Sequence, residues 1–387
     1  MRPVLRVSRG GWSKAAMVVL GCVALIVGVA ACGSSSSGSG ATAASGGGSG
    51  NLKGNGGEIV YFVIATQGVP YFIPEKEAME EEAAKLDYKM KFVVNNVDPT
   101  QLQEQIQQAV ASGEKPAAYM LLSLDPKAAV NEARELSQVA PTFEINQSVE
   151  PEAYEYLKAY IGPNDVLIGK TAGESLLKKR EELKAEGYKF KSPNGGLLVI
   201  SELAGTATSA DRYQGITEAN EKGSPPLEIL HNEPCCSDTQ GVYEIASQLI
   251  PKYESKMDFM YVQNNSSVAG AAKALKQNGL TPGKDVWIVS GNCGGPLSVM
   301  KNEEVESTGE QLAYVEGVAA VETVARYLAT GEVEKGESII KYSKQPPTPT
   351  VSPPKQMNIL ENPPISGGAV ANQVVYGRTV AESCPLE

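Results

Sequence analysis

Short apolar runs alternate with longer helical stretches from residue 58 onward, and this rhythm limits what the chain can fold into. Residues 59–64, Ile-Val-Tyr-Phe-Val-Ile, read as a buried strand. Residues 75–86, rich in Glu, Ala, Lys and Met, predict a helix, and residues 90–94 the next strand. Asp98, Pro99 and Thr100 open a helix through residue 111, with Pro near its start. A strand over 117–122, a helix over 126–138 and a strand over 142–145 complete the first series. Strands joined by helices of this length form right-handed βαβ units and a parallel sheet. The series restarts after Gly162, Pro163 and Asn164, with helices over 166–186, 210–221, 242–253 and 268–278. Strands are expected between them over 196–200, 227–230, 257–262 and 286–289, and a further helix over 314–330. The expected class is α/β, with two doubly wound parallel-sheet lobes joined by a hinge.

Both ends of the chain depart from this rhythm. Arg2, Arg6, Arg9 and Lys14 precede an apolar run over 15–31. A charged start, a short apolar stretch and small residues before a cut site read as a secretory signal. The ending Val29-Ala30-Ala31-Cys32-Gly33 resembles the bacterial lipobox, which implies a lipid on Cys32. Residues 33–57 are almost entirely Gly, Ser, Ala, Thr and Asn, a composition that behaves as a flexible tether. The expected segments are a signal over 1–31 and a tether over 32–57. Residues 345–364 carry prolines in pairs and predict an extended, irregular excursion. A short strand is expected around 373–376, within a C-terminal extension over 341–387.

Charge excludes one class of partner. The whole chain has 34 basic and 45 acidic residues; without the four basic residues of the signal it has 30 and 45, a net charge near −15. Phosphate backbones demand basic patches, so nucleic acid is not an expected partner. Docking on an anionic bilayer is equally disfavoured, which leaves anchoring to the lipid.

The residues that could carry catalysis are sparse. Ser-His-Asp and Cys-His chemistry needs a positioned histidine, and the chain has a single one, His231, at the end of an expected strand. Gly169-Lys170-Thr171 has the tail of a phosphate loop, but Asn164 stands where its first glycine belongs. No enzyme, metal or cofactor is expected. Cys235, Cys236, Cys293 and Cys384 remain beyond the signal and Cys32, an even number in an oxidising compartment. They permit three connectivities: a Cys235–Cys236 bridge with Cys293–Cys384, or one of two crossed arrangements.

An ordered series of turns resembles the type I periplasmic solute-binding proteins, in particular the ribose-binding group that serves ABC importers. Val69-Pro70-Tyr71-Phe72 resembles the family's Asn-Pro-Phe-Phe turn, with Val69 in place of the Asn. Asn146-Gln147 stands where the ribose proteins carry Asp-Arg. Ser209-Ala210-Asp211-Arg212-Tyr213-Gln214-Gly215 resembles a Ser-x-x-Arg-x-x-Gly segment. Gln263-Asn264-Asn265 resembles a Gln-Asn-Asp turn, Gly291-Asn292 replaces an aromatic-Asp pair, and Gln311 matches a glutamine at a hinge crossing. Cys236 falls near the place of a stacking aromatic.

The resemblance implies an N-terminal lobe over 58–163 plus 312–340 and a C-terminal lobe over 164–311. It implies that Tyr71, Phe72, Asn146, Gln147, Arg212, Cys236, Asn264, Asn292 and Gln311 bind a small polar solute. Aromatic faces suit the apolar faces of a sugar, and amides and a guanidinium suit its hydroxyls. Amides at 146, 147 and 292 replace charged groups, so the expected pocket is neutral apart from Arg212. Such a pocket suits a polyol, a modified sugar or a mildly acidic compound better than ribose. The implied partners are an ABC permease and its ATPase, with the protein a monomer on the outer face of a bacterial membrane. A sensor reporting to a membrane receptor is the alternative.

Overall fold

The computed structural model describes residues 52–64, 69, 71–309, 313–333, 357–360, 364–365, 374–375 and 378–379. Cys32, Gln311 and Cys384 lie outside these residues, as do the signal and almost all of the tether.

The first lobe is built from β1 (Gly57–Ile64), α1 (Phe72–Lys85), β2 (Tyr88–Asn95), α2 (Pro99–Ala111), β3 (Ala118–Leu121), α3 (Ala128–Ser137), β4 (Thr142–Ile145) and β5 (Leu157–Pro163). The second follows as α4 (Asp165–Ala185), β6 (Gly196–Ser201), α5 (Ala207–Asn220), β7 (Glu228–Pro234), α6 (Thr239–Tyr253), β8 (Met257–Asn264), α7 (Asn265–Gln277), β9 (Trp287–Asn292), α8 (Ser298–Lys301) and β10 (Thr308–Gly309). The chain then returns through α9 (Ala313–Thr330), β11 (Met357–Leu360), β12 (Pro364–Ile365), β13 (Val374–Val375) and β14 (Arg378–Thr379).

Two parallel sheets result. The first has the order β11-β5-β4-β3-β1-β2, the second β7-β6-β8-β9. Every pairing within them is parallel. Such sheets bury both faces, which is why their strands read as continuous apolar runs. Ile59, Tyr61 and Val63 point into a core shared with α1 and α9, whereas Val60 and Phe62 face α2 and α3. The second sheet divides in the same way. Leu198, Met260 and Ile288 pack against α6 and α7, and Leu197, Phe259 and Trp287 lie on the face covered by α4 and α5.

Among the departures from expectation, three shape the first lobe. α1 begins at Phe72, three residues early, because Pro74 is tolerated in a first turn whose N–H groups are unpaired in any case. β5 occupies a stretch where no strand was expected. Gly162 and Pro163 read as a break, yet both sit at its carboxyl end, where the Tyr160 hydroxyl bonds Pro163 O at 2.8 Å. β11 falls inside the proline-rich stretch read as irregular. Its four residues, Met-Asn-Ile-Leu, are free of proline and pair in parallel with β5. Further on, β13, at Val374–Val375, lies within the expected strand at 373–376 and pairs with β14. Among the described residues, no helix is long and apolar enough to cross a membrane.

Candidate functional site

Loops at the carboxyl ends of parallel strands are where open α/β sheets receive ligands. Here the carboxyl ends of both sheets face one cleft, which encloses about 80 Å³. Seven residues expected from the sequence converge on its wall: Tyr71, Phe72, Asn146, Gln147, Arg212, Asn264 and Asn292.

The first lobe supplies the aromatics. Tyr71 caps α1 and Phe72 starts it, their rings edge to face at 5.1 Å between centroids. Phe72 also belongs to the first lobe's core, so its ring is wall and core at once. Asn146 follows β4 in the left-handed region, at φ 68°, a conformation Asn accepts more readily than most residues. Its Nδ2 donates to Glu316 on α9 at 3.1 and 3.4 Å. The Tyr71 hydroxyl donates to the same carboxyl. Gln147 reaches across the cleft, where its Oε1 accepts from the Thr208 N–H at 3.2 Å.

The second lobe supplies the guanidinium. Arg212 on α5 is buried, with Nε donating to Asp165 Oδ1 at 2.6 Å. Burial alone would lower its pKa, but the Asp165 carboxylate outweighs that and holds the charge more firmly than usual. Glycines let α4 and α5 approach closely enough for this pair. A Cβ at Gly169 would sit 1.9 Å from Arg212 O, and one at Gly215 would sit 2.0 Å from Val166 O. The Gly-Lys-Thr stretch that fails as a phosphate loop is thus a helix-packing site. Gly291 clears the guanidinium itself, since a Cβ there would lie 3.0 Å from Arg212 Nη1.

The two asparagines of the second lobe are braced by the backbone. Asn264 Oδ1 caps α7 by accepting from Ser267 N–H at 2.8 Å. Asn292 Oδ1 accepts from Gly294 N–H at 2.9 Å. Both side chains are therefore held by a backbone N–H on the second lobe's side of the cleft.

Two expectations need correction. Cys236 is not on the cleft wall, although its neighbour Ser237 is. It is bonded to Cys235, with Sγ–Sγ 2.02 Å, and packs against the second lobe's core beside Gly241. Cys293 is buried and disulfide-bonded, and Cys384, its partner in the first of the three connectivities, lies outside the described residues. Nor is the pocket neutral apart from Arg212. Glu202, which follows β6, lines the cleft and accepts from Gln263 Nε2 at 2.6 Å. Asp165 pairs with Arg212, and Glu316 stands behind Tyr71 and Asn146. Sequence reasoning missed all three carboxyls because it followed the turns that resemble the family, and these residues lie outside them. Glu202 could have been found as the first polar residue after a strand's carboxyl end.

A family model described as a periplasmic binding protein domain matches residues 60–332. The chain belongs to this family. The binding protein is 24% identical over 284 residues to the ribose import binding protein RbsB of Escherichia coli K12, covering 73% of this chain and 86% of that one. It is 26% identical over 282 residues to the fructose import binding protein FruE of Bifidobacterium longum, covering 70% and 75%. Among solved structures, the Caulobacter myo-inositol binding protein superposes with a TM-score of 0.65 at 17% identity, covering 82% and 95%. The binding protein thus has the type I fold, two α/β lobes with the cleft between them.

Proposed function

We propose that the binding protein captures a neutral sugar or polyol in this cleft and delivers it to an ABC import permease. The observation that carries the reading is the meeting of two kinds of group on one wall: the rings of Tyr71 and Phe72, and the amides and guanidinium of Asn146, Gln147, Arg212, Asn264 and Asn292. Rings accept the apolar faces of a sugar, and amides both donate to and accept from its hydroxyls.

Electrostatics narrows the ligand class. The Arg212 charge is balanced within a buried pair with Asp165, and Glu202 adds a carboxylate to the wall. An anionic solute would find no unmatched cation among the described residues of the wall, so a mildly acidic ligand is disfavoured relative to a neutral polyhydroxy compound. The names of the relatives, which bind ribose, fructose or myo-inositol, support the same class. Residues 58–163 with 312–340 and residues 164–311 act as the closing lobes, and Cys32 carries the lipid that keeps the trap near its permease.

A thermal-shift screen of the mature protein against sugars, polyols, sugar acids and amino acids tests the reading. A ligand of the native state raises Tm in a dose-dependent way. Sugars or polyols are expected to respond and sugar acids to be silent. A response from amino acids alone would overturn the carbohydrate reading, and a ribose dissociation constant in the micromolar range or tighter would overturn the preference against ribose.

A further inference from the structure

Two carboxyls lie behind the cleft wall formed by Tyr71 and Asn146. Glu75, in the first turn of α1, and Glu316, in the first turn of α9, are both completely buried. The helices cross closely there, since a Cβ on Gly317 would sit 2.4 Å from Glu75 O. Glu316 accepts from Asn146 Nδ2 and from the Tyr71 hydroxyl. Glu75 Oε1 accepts from the Tyr61 hydroxyl at 3.3 Å, and its Oε2 is buried with no partner among the described residues. The groups that face the pair are Tyr61 on β1, Tyr71 at the start of α1, Glu144 on β4, Asn146 after it, Tyr160 on β5 and Asp165 on α4. None of these is a cation.

Two neighbouring carboxyls buried without a cation do not both ionise, and their titration belongs to the pair. Burial first, and then the charge of Glu316, pushes Glu75 well above the usual range. Burial raises Glu316 to about 8, against the opposing bonds from Tyr71 and Asn146.

We propose that Glu75 and Glu316 are positioning residues that share a proton and thereby set which hydrogen-bonding atoms Tyr71 and Asn146 present to the solute. The inference rests on the cleft being the solute site. An ionised carboxylate only accepts, so it draws the Tyr71 hydrogen and the Asn146 amide hydrogens backward. At Tyr71 the cleft then meets oxygen lone pairs and no hydroxyl hydrogen. A protonated Glu316 donates to the Tyr71 oxygen, which frees the Tyr71 hydrogen to turn toward the solute. Capture is strongest with the proton in place and weakens as it leaves.

The test takes the best solute of the thermal-shift panel and measures its affinity for the full mature protein from about pH 6 to pH 9.5. Native affinity is expected to fall about threefold or more across the upper part of this range. E316Q keeps the shape and hydrogen-bonding groups of the protonated form, and its profile is expected to be flat; E75Q serves as the second variant. Infrared spectra of the ligand-free protein at neutral pH should show a protonated carboxylic acid band that weakens in both variants. Parallel affinity profiles in native protein and variants, or no such band, overturn the shared proton. No binding at any pH overturns the capture reading and the positioning role with it, and the infrared spectra tell these two failures apart.

Discussion

Arg212 and Asp165 form a buried pair, with Nε to Oδ1 at 2.6 Å, inside the second lobe and at the edge of the cleft. Asp165 also accepts from the Thr208 hydroxyl at 3.1 Å, and the Thr208 N–H donates across the cleft to Gln147. One carboxylate therefore fixes both the guanidinium and the first turn of α5. Removing one partner of a buried pair strands the other charge, at a cost of about 3–5 kcal/mol. D165A should lose about that much stability in chemical denaturation and bind solute more weakly. D165N retains an acceptor and should lose less. Equal stability of D165A and native protein would remove the pair from this role.

The closeness of α4 and α5 makes a second prediction. An alanine at Gly169 must displace the Arg212 carbonyl, which belongs to backbone and cannot swing aside. Overpacking of this kind costs about 1–3 kcal/mol. G169A should melt several degrees lower, and its affinity for solute should fall because α5 carries Arg212 with it. A native Tm in G169A would show that the helices separate freely.

Much of this was legible in the sequence, for local reasons. Residues 59–64 announce a strand buried on both faces because neither face of a parallel sheet meets water. Tyr71, Asn146, Asn264 and Asn292 stand at strand ends or helix starts, with Arg212 in the second turn of α5, and the strand–helix series is enough to bring such positions to one side. What escaped depends on distant pairing. β11 exists because β5 offers it an edge, some 200 residues back in the chain. Glu316 meets Asn146 across 170 residues, and nothing local to either marks the contact. Cys236 stood near the expected place, but it is bonded to Cys235 and packs against the core.

Stability should decline as pH rises through neutrality. Glu132 on α3 is buried, and desolvation raises its pKa to about 7, with the nearby Asp125 and Glu135 charges adding to this and the Ser123 hydrogen bond opposing it. A folded-state pKa above the unfolded value of about 4.5 means that the folded protein holds its proton longer. The stability this contributes is complete below about pH 4.5 and is lost as pH rises through 7. Glu75, Glu144 and Glu316 are raised too and act in the same direction. E132Q removes one such group, so it should be more stable than native protein at pH 8 by about 1–3 kcal/mol. The gap should close toward pH 4.5. Parallel Tm profiles from pH 4.5 to 8 would show that Glu132 ionises as freely in the folded chain as in the unfolded one.

The last prediction concerns closure. The Ser148 hydroxyl, just past β4 in the first lobe, donates to Asp211 Oδ2 on α5 of the second at 2.6 Å. The bond lies beside a further groove of about 570 Å³ between the lobes, outside the wall that holds Arg212. Asp211 is raised in pKa mainly by burial, with the Ser148 bond opposing, so the bond helps to keep its charge. A ligand leaves only when the lobes part, and a contact made only in the closed form resists that step. Loss of one such bond is worth about 1 kcal/mol, or about fivefold in an equilibrium. S148A should therefore release solute about fivefold faster in stopped-flow measurements, with its association rate nearly native, as is usual for changes within one interface. A slower association with native release would place Ser148 in the encounter rather than in the latch.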